Sequence, residues 1–454
     1  MKIIIVGGGK VGFSLAQNLT KEKHDITLID NDEETVEKVS NGADVICYVG
    51  NGASFNTLKE VGVSSADLLI AVTGSDELNL LSCLSAHKLG AKHTVARVRN
   101  PEYANQLYEL KEDLGLSLFV NPEKAAAEEI ARVLRFPSAS HVEFFARGHV
   151  ELVSCRLTEN NKLNGEKLSD LKQKFGFNVL VCAVDRDGEL TIPGGNFVLQ
   201  KGDELYLTGS PKDMLKAFKS AGLLKDSVKG VLISGAGRIT YYLCEALAKE
   251  NLTVKVIEKD KDLAEDFASR VKNAVVLFGD AFDHEVLLEE GINKTDAFVA
   301  LTGLDEGNVL SALYAQQNNV GKVIAKVNSD NISSLTKNLG IETLISPKAV
   351  TTNQILTYVR AVAETESNDN MLSMYKILDG RCEVLEFNPD GEIPNLTGIP
   401  LNRLKLKPNI LIASIVRGTN AIIPSGSDSI MVGDIILVVT SNTQINSLSD
   451  ILED

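Results

Sequence analysis

The chain has 454 residues, 44% of them hydrophobic, and a formal net charge of −15 from 61 acidic and 46 basic side chains. At about 150 residues per domain, this length predicts about three globular domains. A surface with such an excess of carboxylates repels phosphate backbones and anionic lipid headgroups, which argues against direct binding to nucleic acid or to a bare membrane.

The hydropathy of the chain and the spacing of its cysteines and histidines argue against further classes of protein. No apolar run approaches the ~18 residues that a transmembrane helix requires, so we expect no direct lipid anchor and a membrane role only through a protein partner. The six cysteines form no CxxC pair, which is typical of reduced thiols in a cytosolic protein. The histidines show no HxxxH or HExxH spacing, and we predict no metal site.

Residues 2–30 have the pattern of a dinucleotide-binding unit. KIIIV is a short apolar run that predicts a strand, GGGKVG predicts a tight turn, and DITLID predicts a second strand after a helix. Gly7 permits the turn, Gly9 lets the backbone approach a pyrophosphate, and Gly12 lets the helix pack closely. Asp30 can accept hydrogen bonds from ribose hydroxyls and would repel a 2′-phosphate, which favours NAD(H) or an adenine nucleotide over NADP.

The same pattern returns from residue 229. Gly235, Gly237 and Glu258 hold the places of the first two glycines and of the acid, at an offset of 228 positions. Thr240 replaces the third glycine, and a β-branched residue there is expected to loosen the packing of the helix and to shift the phosphates. Arg238, beside the turn, can reach a phosphate and compensate. The repeat indicates a duplicated half and raises the expected number of domains to four.

A second phrase is repeated after the fourth predicted strand of each unit, as TGSDELN at 73–79 and TGLDEGN at 302–308. Open α/β sheets bind ligands at their carboxyl edge, so we predict that Thr73, Gly74 and Thr302 contact a nucleotide. The acidic residues of both phrases begin a helix, and they are explained equally well as helix caps or as ligand contacts.

Two further positions distinguish the halves. Arg97 ends the fifth predicted strand of the first half, and Lys326 holds its place in the second; Asn51 likewise corresponds to Asp280. The planar guanidinium of arginine can donate two parallel hydrogen bonds to a phosphate, whereas lysine offers a single ammonium group. A neutral amide is also more compatible with a nearby polyphosphate than a carboxylate is. We therefore predict that the first half discriminates ATP from ADP, whereas the second favours NAD(H) or stays empty. A solvated charge at a strand end is the alternative for Arg97.

Each unit is followed by a smaller β-rich segment, because IPGGNFVLQKGDELYLT at 192–208 matches IPSGSDSIMVGDIILVV at 423–439. The linkers are predicted at FPSAS and ETESNDN, and Asn–Pro and Ser–Pro pairs predict helix starts at residues 121 and 346. The predicted domains are 1–135, 140–224, 228–363 and 370–454.

These motifs resemble the family of the Trk system potassium uptake protein TrkA, whose repeated unit is the RCK module. The resemblance rests on GGGKVG, LID and TGSDELN, repeated as SGAGRIT, VIEKD and TGLDEGN, and it covers essentially the whole chain. It implies an α/β protein with two Rossmann-like parallel-sheet domains, each followed by a small α+β RCK C-terminal domain. It also implies a cytosolic regulatory subunit, peripheral on the inner face of the cell membrane, that binds NAD(H) and ATP/ADP. Such a subunit forms a homotetramer on a potassium channel of the TrkH/TrkG type, and the helix from residue 121 makes its dimer contact.

The predicted nucleotide contacts lie in the glycine turns, at the strand ends and in the repeated phrase. They are Gly7, Gly8, Gly9, Lys10, Val11, Gly12, Asp30, Asn51, Thr73, Gly74 and Arg97 in the first half, and Gly235, Ala236, Gly237, Arg238, Glu258, Asp280, Thr302 and Lys326 in the second.

No catalytic residue is predicted, because the chain has no GxxxxGK[ST], GxSxG or YxxxK motif. An NAD-dependent oxidoreductase with tandem Rossmann domains remains the alternative function. NADH consumption with carbonyl substrates would distinguish the two.

Overall fold

The computed structural model describes residues 1–135, 139–176, 178–223, 228–248, 252–329, 343–365, 371–377, 381–389, 391–441 and 447–453, with positions 250, 331, 332, 336, 339, 341 and 445. The chain divides into two compact units, one of Met1–Ala131 with Lys229–Leu356 and one of Arg132–Val228 with Thr357–Asp454. Each unit therefore combines corresponding parts of the two halves. Of the predicted linkers, residues 136–138 and 366–370 lie outside the described residues.

The first part of the chain forms a parallel sheet with helices on it. Its strands are β1 (Lys2–Val6), β2 (Asp25–Asp30), β3 (Ile46–Val49), β4 (Leu68–Ala71), β5 (His93–Arg97) and β6 (Leu118–Val120). Its helices are α1 (Lys10–Lys21), α2 (Glu33–Gly42), α3 (Phe55–Glu60), α4 (Asp76–Leu89), α5 (Pro101–Leu110) and α6 (Pro122–Arg135). The strand order is β3-β2-β1-β4-β5-β6. The sheet order reverses between β1 and β4, and in such sheets ligands bind at the carboxyl ends beside that point.

The continuous apolar run of β1 follows from its position in the sheet. All of the residues Ile3, Ile4, Ile5 and Val6 are at most 3% exposed, because β1 pairs in parallel with β2 and β4 and is covered on both faces. The predicted strands at 2–6 and 25–30 are confirmed.

The next segment forms an antiparallel sheet with two helices. Its strands are β7 (Ala139–Phe145), β8 (Val150–Arg156), β9 (Leu180–Arg186), β10 (Glu189–Thr191) and β11 (Glu204–Gly209), and its helices are α7 (Leu168–Phe175) and α8 (Pro211–Ser220). The strand order is β10-β9-β11-β8-β7. The predicted GD turn lies at Gly202, which has a φ of +90°, and the carboxylate of Asp203 accepts two hydrogen bonds from the guanidinium of Arg186 (2.7 and 2.8 Å).

The second parallel sheet repeats the topology of the first. Its strands are β12 (Gly230–Ser234), β13 (Thr253–Glu258), β14 (Ala274–Phe278), β15 (Ala297–Ala300), β16 (Lys322–Lys326) and β17 (Thr343–Ile345). The helices are α9 (Arg238–Leu247), α10 (Lys261–Arg270), α11 (His284–Glu289), α12 (Asp305–Gln317) and α13 (Pro347–Thr365). The order β14-β13-β12-β15-β16-β17 matches the first sheet strand for strand.

A second antiparallel sheet follows, with strands β18 (Met371–Ile377), β19 (Cys382–Phe387), β20 (Ile410–Arg417), β21 (Asn420–Ile422) and β22 (Ile435–Thr440) in the order β18-β19-β22-β20-β21. Where the first antiparallel domain has α7, this one has a short 3-10 turn at Leu401–Arg403. The predicted fold class, two parallel α/β domains each followed by a small domain, is confirmed.

The two antiparallel sheets share a core. Side chains alternate along β8, so that Val150 and Leu152 join an apolar cluster with Val384 and Val439 of the other sheet. The intervening Val153 packs instead with α8 of its own domain. Both faces of each sheet are thus buried in the second unit. None of the helices in the described ranges is long and apolar enough to cross a bilayer.

Candidate nucleotide-binding sites

The first glycine turn has the geometry that its sequence predicts. Gly7 has a φ of +105°, which glycine adopts without strain, and a Cβ at this position would meet the backbone nitrogen of Thr73 at 3.0 Å. A Cβ at Gly12 would overlap the carbonyl oxygen of Gly7, so the third glycine is required for the helix to pack on the turn. A Cβ at Gly9 would have no atom within 4 Å. The backbone at Gly9 is therefore open to a ligand at the N-terminus of α1.

Asp30 stabilises the turn. Its Oδ2 accepts the N–H of Gly8 (2.6 Å) and its Oδ1 accepts the N–H of Asp32 (3.1 Å). A carboxylate has about four acceptor positions, so both oxygens can accept further hydrogen bonds from a ribose. Asp30 thus combines a structural role, which the sequence reasoning did not include, with the predicted place beside the ligand.

A cavity of about 620 Å³ lies at the carboxyl edge of the first sheet. Of the predicted contacts, those that line it are Gly7, Gly9, Lys10, Val11, Asp30, Asn51, Thr73, Gly74 and Arg97. Gly8 and Gly12 are not part of the lining, because Gly8 bonds to Asp30 and Gly12 packs against the turn. The side-chain oxygen of Asn51 accepts the N–H of Ala53 (3.0 Å), which orders the loop after β3.

The repeated phrase has a structural role that the sequence reasoning missed. The Oδ1 of Asn79 accepts both the N–H and the hydroxyl of Thr73 (2.8 Å each), and its amide donates to the carbonyl of Arg97 (2.8 Å). Asp76 accepts the N–H groups of Arg99 and Asn100 (2.8 Å each). The phrase therefore joins the end of β4 to the end of β5. The hydroxyl of Thr73 donates to Asn79, so it can offer a ligand only an acceptor.

The second half repeats these bonds. The Oδ1 of Asn308 accepts the N–H and the hydroxyl of Thr302 (2.9 and 2.7 Å), and its amide donates to the carbonyl of Lys326 (3.0 Å). Asp305 accepts the N–H of Asn328 (2.8 Å). The shared Asp and Asn of TxxDExN were visible in the sequence as the invariant part of the repeat. Their partners lie too far along the chain to be read from spacing.

Two arginines hold the loop after β4. The guanidinium of Arg97 donates to the carbonyl of Thr73, and that of Arg99 donates to the carbonyl of Gly74 and lies 3.5 Å from the carboxylate of Asp76. Burial lowers the pKa of Arg97, although an arginine remains a cation at any physiological pH. The Nε of Arg97 has no hydrogen-bond partner. The alternative of a solvated charge is therefore wrong for Arg97.

The second glycine turn accommodates its threonine by a hydrogen bond. Gly235 has a φ of +95°, and the hydroxyl of the buried Thr240 donates to its carbonyl (2.5 Å). The carboxylate of Glu258 accepts the N–H of Ala236 (2.8 Å), as Asp30 does in the first half. The expected loosening at Thr240 is thus offset by a bond that glycine cannot make.

The second cavity is smaller, at about 380 Å³. The predicted contacts Gly235, Gly237, Glu258, Asp280 and Thr302 line it. Ala236, Arg238 and Lys326 do not, and burial lowers the pKa of Lys326. Ala236 and Arg238 line a separate cavity of about 340 Å³, together with Asn100 and Pro101 of the first half.

The two α/β domains also meet at the start of α6. Asn121 caps this helix by accepting the N–H of Lys124 (2.9 Å), and its amide donates to the hydroxyl of Tyr242 in the second half (2.8 Å). Burial raises the pKa of Glu123, against the effect of the nearby Arg99 and other cations. In the described part of the chain, no group of three or more His, Cys, Asp or Glu residues could hold a metal ion.

The fold and the cavities define a tandem RCK-type protein, with two Rossmann-like domains and two small antiparallel domains. Residues 3–122 and 231–347 match the TrkA-N domain, and residues 152–222 and 394–453 match the TrkA-C domain. The chain belongs to the TrkA family.

Relatives and solved structures of similar fold agree with this assignment. A "Trk system potassium uptake protein TrkA homolog" of Archaeoglobus fulgidus is 34% identical over 99% of this chain and 100% of its own length. The "Trk system potassium uptake protein TrkA" of Haemophilus influenzae is 29% identical over 97% of this chain and 96% of its own length. The "GsuK channel bound to NAD" is similar in fold, with a TM-score of 0.62 and 18% identity over 99% of this chain and 78% of that one.

Proposed function

We propose that the chain is a cytosolic regulatory subunit that binds NAD(H) and ATP/ADP and gates a membrane potassium channel of the TrkH/TrkG type. The relatives named above are potassium uptake proteins of matching length, which supports the potassium-transport role. Proteins of similar fold are described as a channel bound to NAD and as bound to ADP. In this proposal the subunit forms a homotetramer on the inner face of the membrane, and the channel is its only attachment there.

The observation that carries the proposal is the composition of the first cavity. Its lining combines the open backbone at Gly9 with Asp30 on one side and Arg97 on the other, as a ribose and a phosphate require. The only titratable side chains in this lining are Lys10, Asp30 and Arg97, and Asp30 is hydrogen-bonded to the turn. A lysine, an arginine and a carboxylate that is already bonded to the turn are suited to holding a phosphate and a ribose. In this proposal the bound nucleotide is sensed rather than turned over.

The test is a calorimetric titration of the full chain with NADH, ADP and ATP. Asp30→Asn keeps the size of the side chain but removes the charged acceptor, and it should weaken NADH binding by roughly 1–3 kcal/mol. Glu33→Gln, an exposed neighbour in α2, is the matched control and should bind as the wild type does. Absence of binding, or steady consumption of NADH with carbonyl substrates, would contradict the proposal.

The channel role is tested separately. Potassium flux into vesicles that contain the channel partner should depend on added subunit and change when the bound nucleotide is exchanged. If potassium flux does not depend on the subunit, the proposed gating is wrong, whereas the proposed nucleotide binding is unaffected.

A further inference from the structure

The two halves differ at a pair of positions that touch each other. In the loop after β14, the N–H of Phe282 donates to the carboxylate of Asp280 (2.9 Å), as that of Ala53 donates to Asn51 in the first half. Phe282 is therefore the counterpart of Ala53. A phenylalanine ring thus stands in the second site where the first has a methyl group.

The other member of the pair lies in the first turn of the neighbouring helix. Gly307 is the third residue of α12 and Leu78 is the third residue of α4, and each precedes the asparagine that bonds to the threonine. A Cβ at Gly307 would overlap the tip of the Phe282 ring. The ring therefore occupies the space in which a side chain at 307 would begin. The Ala53–Leu78 pair of the first half is replaced by Phe282–Gly307.

This exchange places an aromatic ring in the wall of the second cavity. Phe282 lines that cavity, whereas in the first half it is Leu78 that lines the cavity. The tip of the ring lies against Gly307 of α12, so an aromatic side chain from the loop takes the place in the wall that Leu78 of the helix has in the first cavity. A planar ring in such a wall is a surface on which a base can stack.

Two leucines increase the apolar character of the same cavity. Leu304 and Leu263 line it and are 54% and 38% exposed. Their counterparts in the first cavity are Ser75, which caps α4 through the N–H of Leu78 (3.2 Å), and Thr35, which donates to Asp32 (2.5 Å). Leu304 makes no side-chain cap to α12. The second cavity thus has exposed apolar side chains where the first has hydroxyls that cap a helix or bond to a neighbour. This difference indicates that the ligand of the second cavity has an apolar face.

The charged end of the second cavity is also shorter. Its lining contains the glycine turn and Glu258, but it does not include Lys326, whereas the first cavity reaches the corresponding Arg97. A dinucleotide needs room on both sides of the glycine turn. The second cavity reaches Thr302 and Leu304 on the β15 side but ends before Lys326, and its volume of about 380 Å³ against about 620 Å³ suits a ligand smaller than a dinucleotide.

We propose that the second cavity binds a nucleotide with a single purine base, which stacks on the ring of Phe282 beside Leu263 and Leu304. The inference rests on the proposed function, since it names the ligand class of the second site. The ribose meets Glu258 and the phosphate meets the N-terminus of α9 at Gly237. This differs from the expectation from the sequence that the second half favours NAD(H), because that expectation considered charge and not the cavity wall.

The first experiment is photo-labelling of the full chain with 8-azido-ADP, followed by mass spectrometry of the peptides. We expect label in second-half peptides that contain Phe282 or Leu304, and label in the first half as an internal reference. AMP should protect the second-half peptides, whereas ribose 5-phosphate, which lacks the base, should not. NAD should protect the first-half peptides more strongly than the second-half ones.

The second experiment uses a swap that keeps the packing. Phe282→Ala with Gly307→Leu installs the pair found in the first half, and it should weaken second-half labelling about ten-fold while first-half labelling stays unchanged. Phe282→Leu keeps apolar volume without an aromatic face, and the same loss is expected. Phe278→Ala removes an exposed ring of the same half that does not line the cavity, and it should label as the wild type does. Matching unfolding midpoints confirm that the variants fold.

The outcomes distinguish this inference from the function on which it rests. First-half label without second-half label overturns the inference and leaves the proposed function intact. Absence of label in both halves overturns both. Wild-type labelling of the swap variant, or equal protection of the second half by NAD and AMP, overturns the assignment of Phe282 and of a single base.

Discussion

At the scale of single residues, Asn79 shows how one side chain can hold a binding edge together. It is fully buried and bonds to the N–H and hydroxyl of Thr73 and to the carbonyl of Arg97. We expect Asn79→Ala to lower the free energy of unfolding by roughly 1–3 kcal/mol, because buried donors and an acceptor lose their partner. Nucleotide affinity in the first half should fall as well, since Thr73 and Arg97 line the cavity. Chemical denaturation and calorimetry measure the two effects.

The matched control is Glu77→Ala in the same phrase. Glu77 is exposed and bonds to Ser75 and Tyr103 at the surface, so its loss should change stability little. An Asn79→Ala protein as stable as the control would show that the bonds across β4 and β5 carry no net stability.

At the scale of elements, Glu151 on β8 is a buried carboxyl beside the end of α6. It is 0% exposed, neither carboxylate oxygen has a hydrogen-bond partner, and Arg135 of α6 lies 3.5 Å away. Burial raises the pKa of Glu151 to about 7, with Arg135 and Arg132 opposing the shift. A raised pKa in the folded state means that the folded protein holds the proton more tightly than the unfolded chain. Stability from this group is present below about pH 4.5 and is lost as the pH rises through about 7.

The prediction is that Glu151→Gln removes this pH dependence. The free energy of unfolding of the wild type should fall by up to about 3 kcal/mol more than that of the variant between about pH 5 and about pH 8. Glu204→Gln, which changes a partly exposed carboxylate on β11, is the control and should follow the wild type. Parallel pH profiles of wild type and Glu151→Gln would show that Glu151 does not titrate in this range.

Several elements and site residues could be predicted from the sequence because their causes are local. β1, the turn at Gly7 and the position of Asp30 follow from an apolar run, a backbone that needs a positive φ and a fixed spacing. The role of Asn79 could not be predicted, since its partner Arg97 is 18 residues away and only the sheet brings the two together. The position of the Phe282 ring in the cavity wall could not be predicted either, because nothing in the sequence spacing shows that the ring lies on Gly307.

At the scale of the whole molecule, the pairing of the two antiparallel sheets could not be predicted either. Side chains of β8 alternate between two faces, as in any strand, and this pattern does not show that the second face is covered by another sheet. That face has a testable consequence for a shortened chain. Residues 1–224 alone would expose Val150 and Leu152, which the full chain buries against the second sheet. We expect this fragment to self-associate, because apolar faces of this kind are covered by whatever matching surface is available. Light scattering after gel filtration measures its mass.

The control for the fragment is Leu152→Asp, which places a charge on the shared face and should give a monomer. In the full chain the same substitution should lower stability, since Leu152 is 1% exposed. If the fragment is monomeric without the substitution, exposure of this apolar face does not cause self-association.

The combination of corresponding domains within each unit makes the chain a covalently tethered pseudo-dimer. Tethering raises the effective concentration of one copy around the other, so dilution does not separate them. It also sets the ratio of first to second sites at one to one, whatever the amount of protein made. Because within each unit one copy pairs with the other rather than with an identical copy, a change in one need not be mirrored. Phe282 and Gly307 could therefore diverge from Ala53 and Leu78, and the proposed difference in ligand between the two sites would need no second gene.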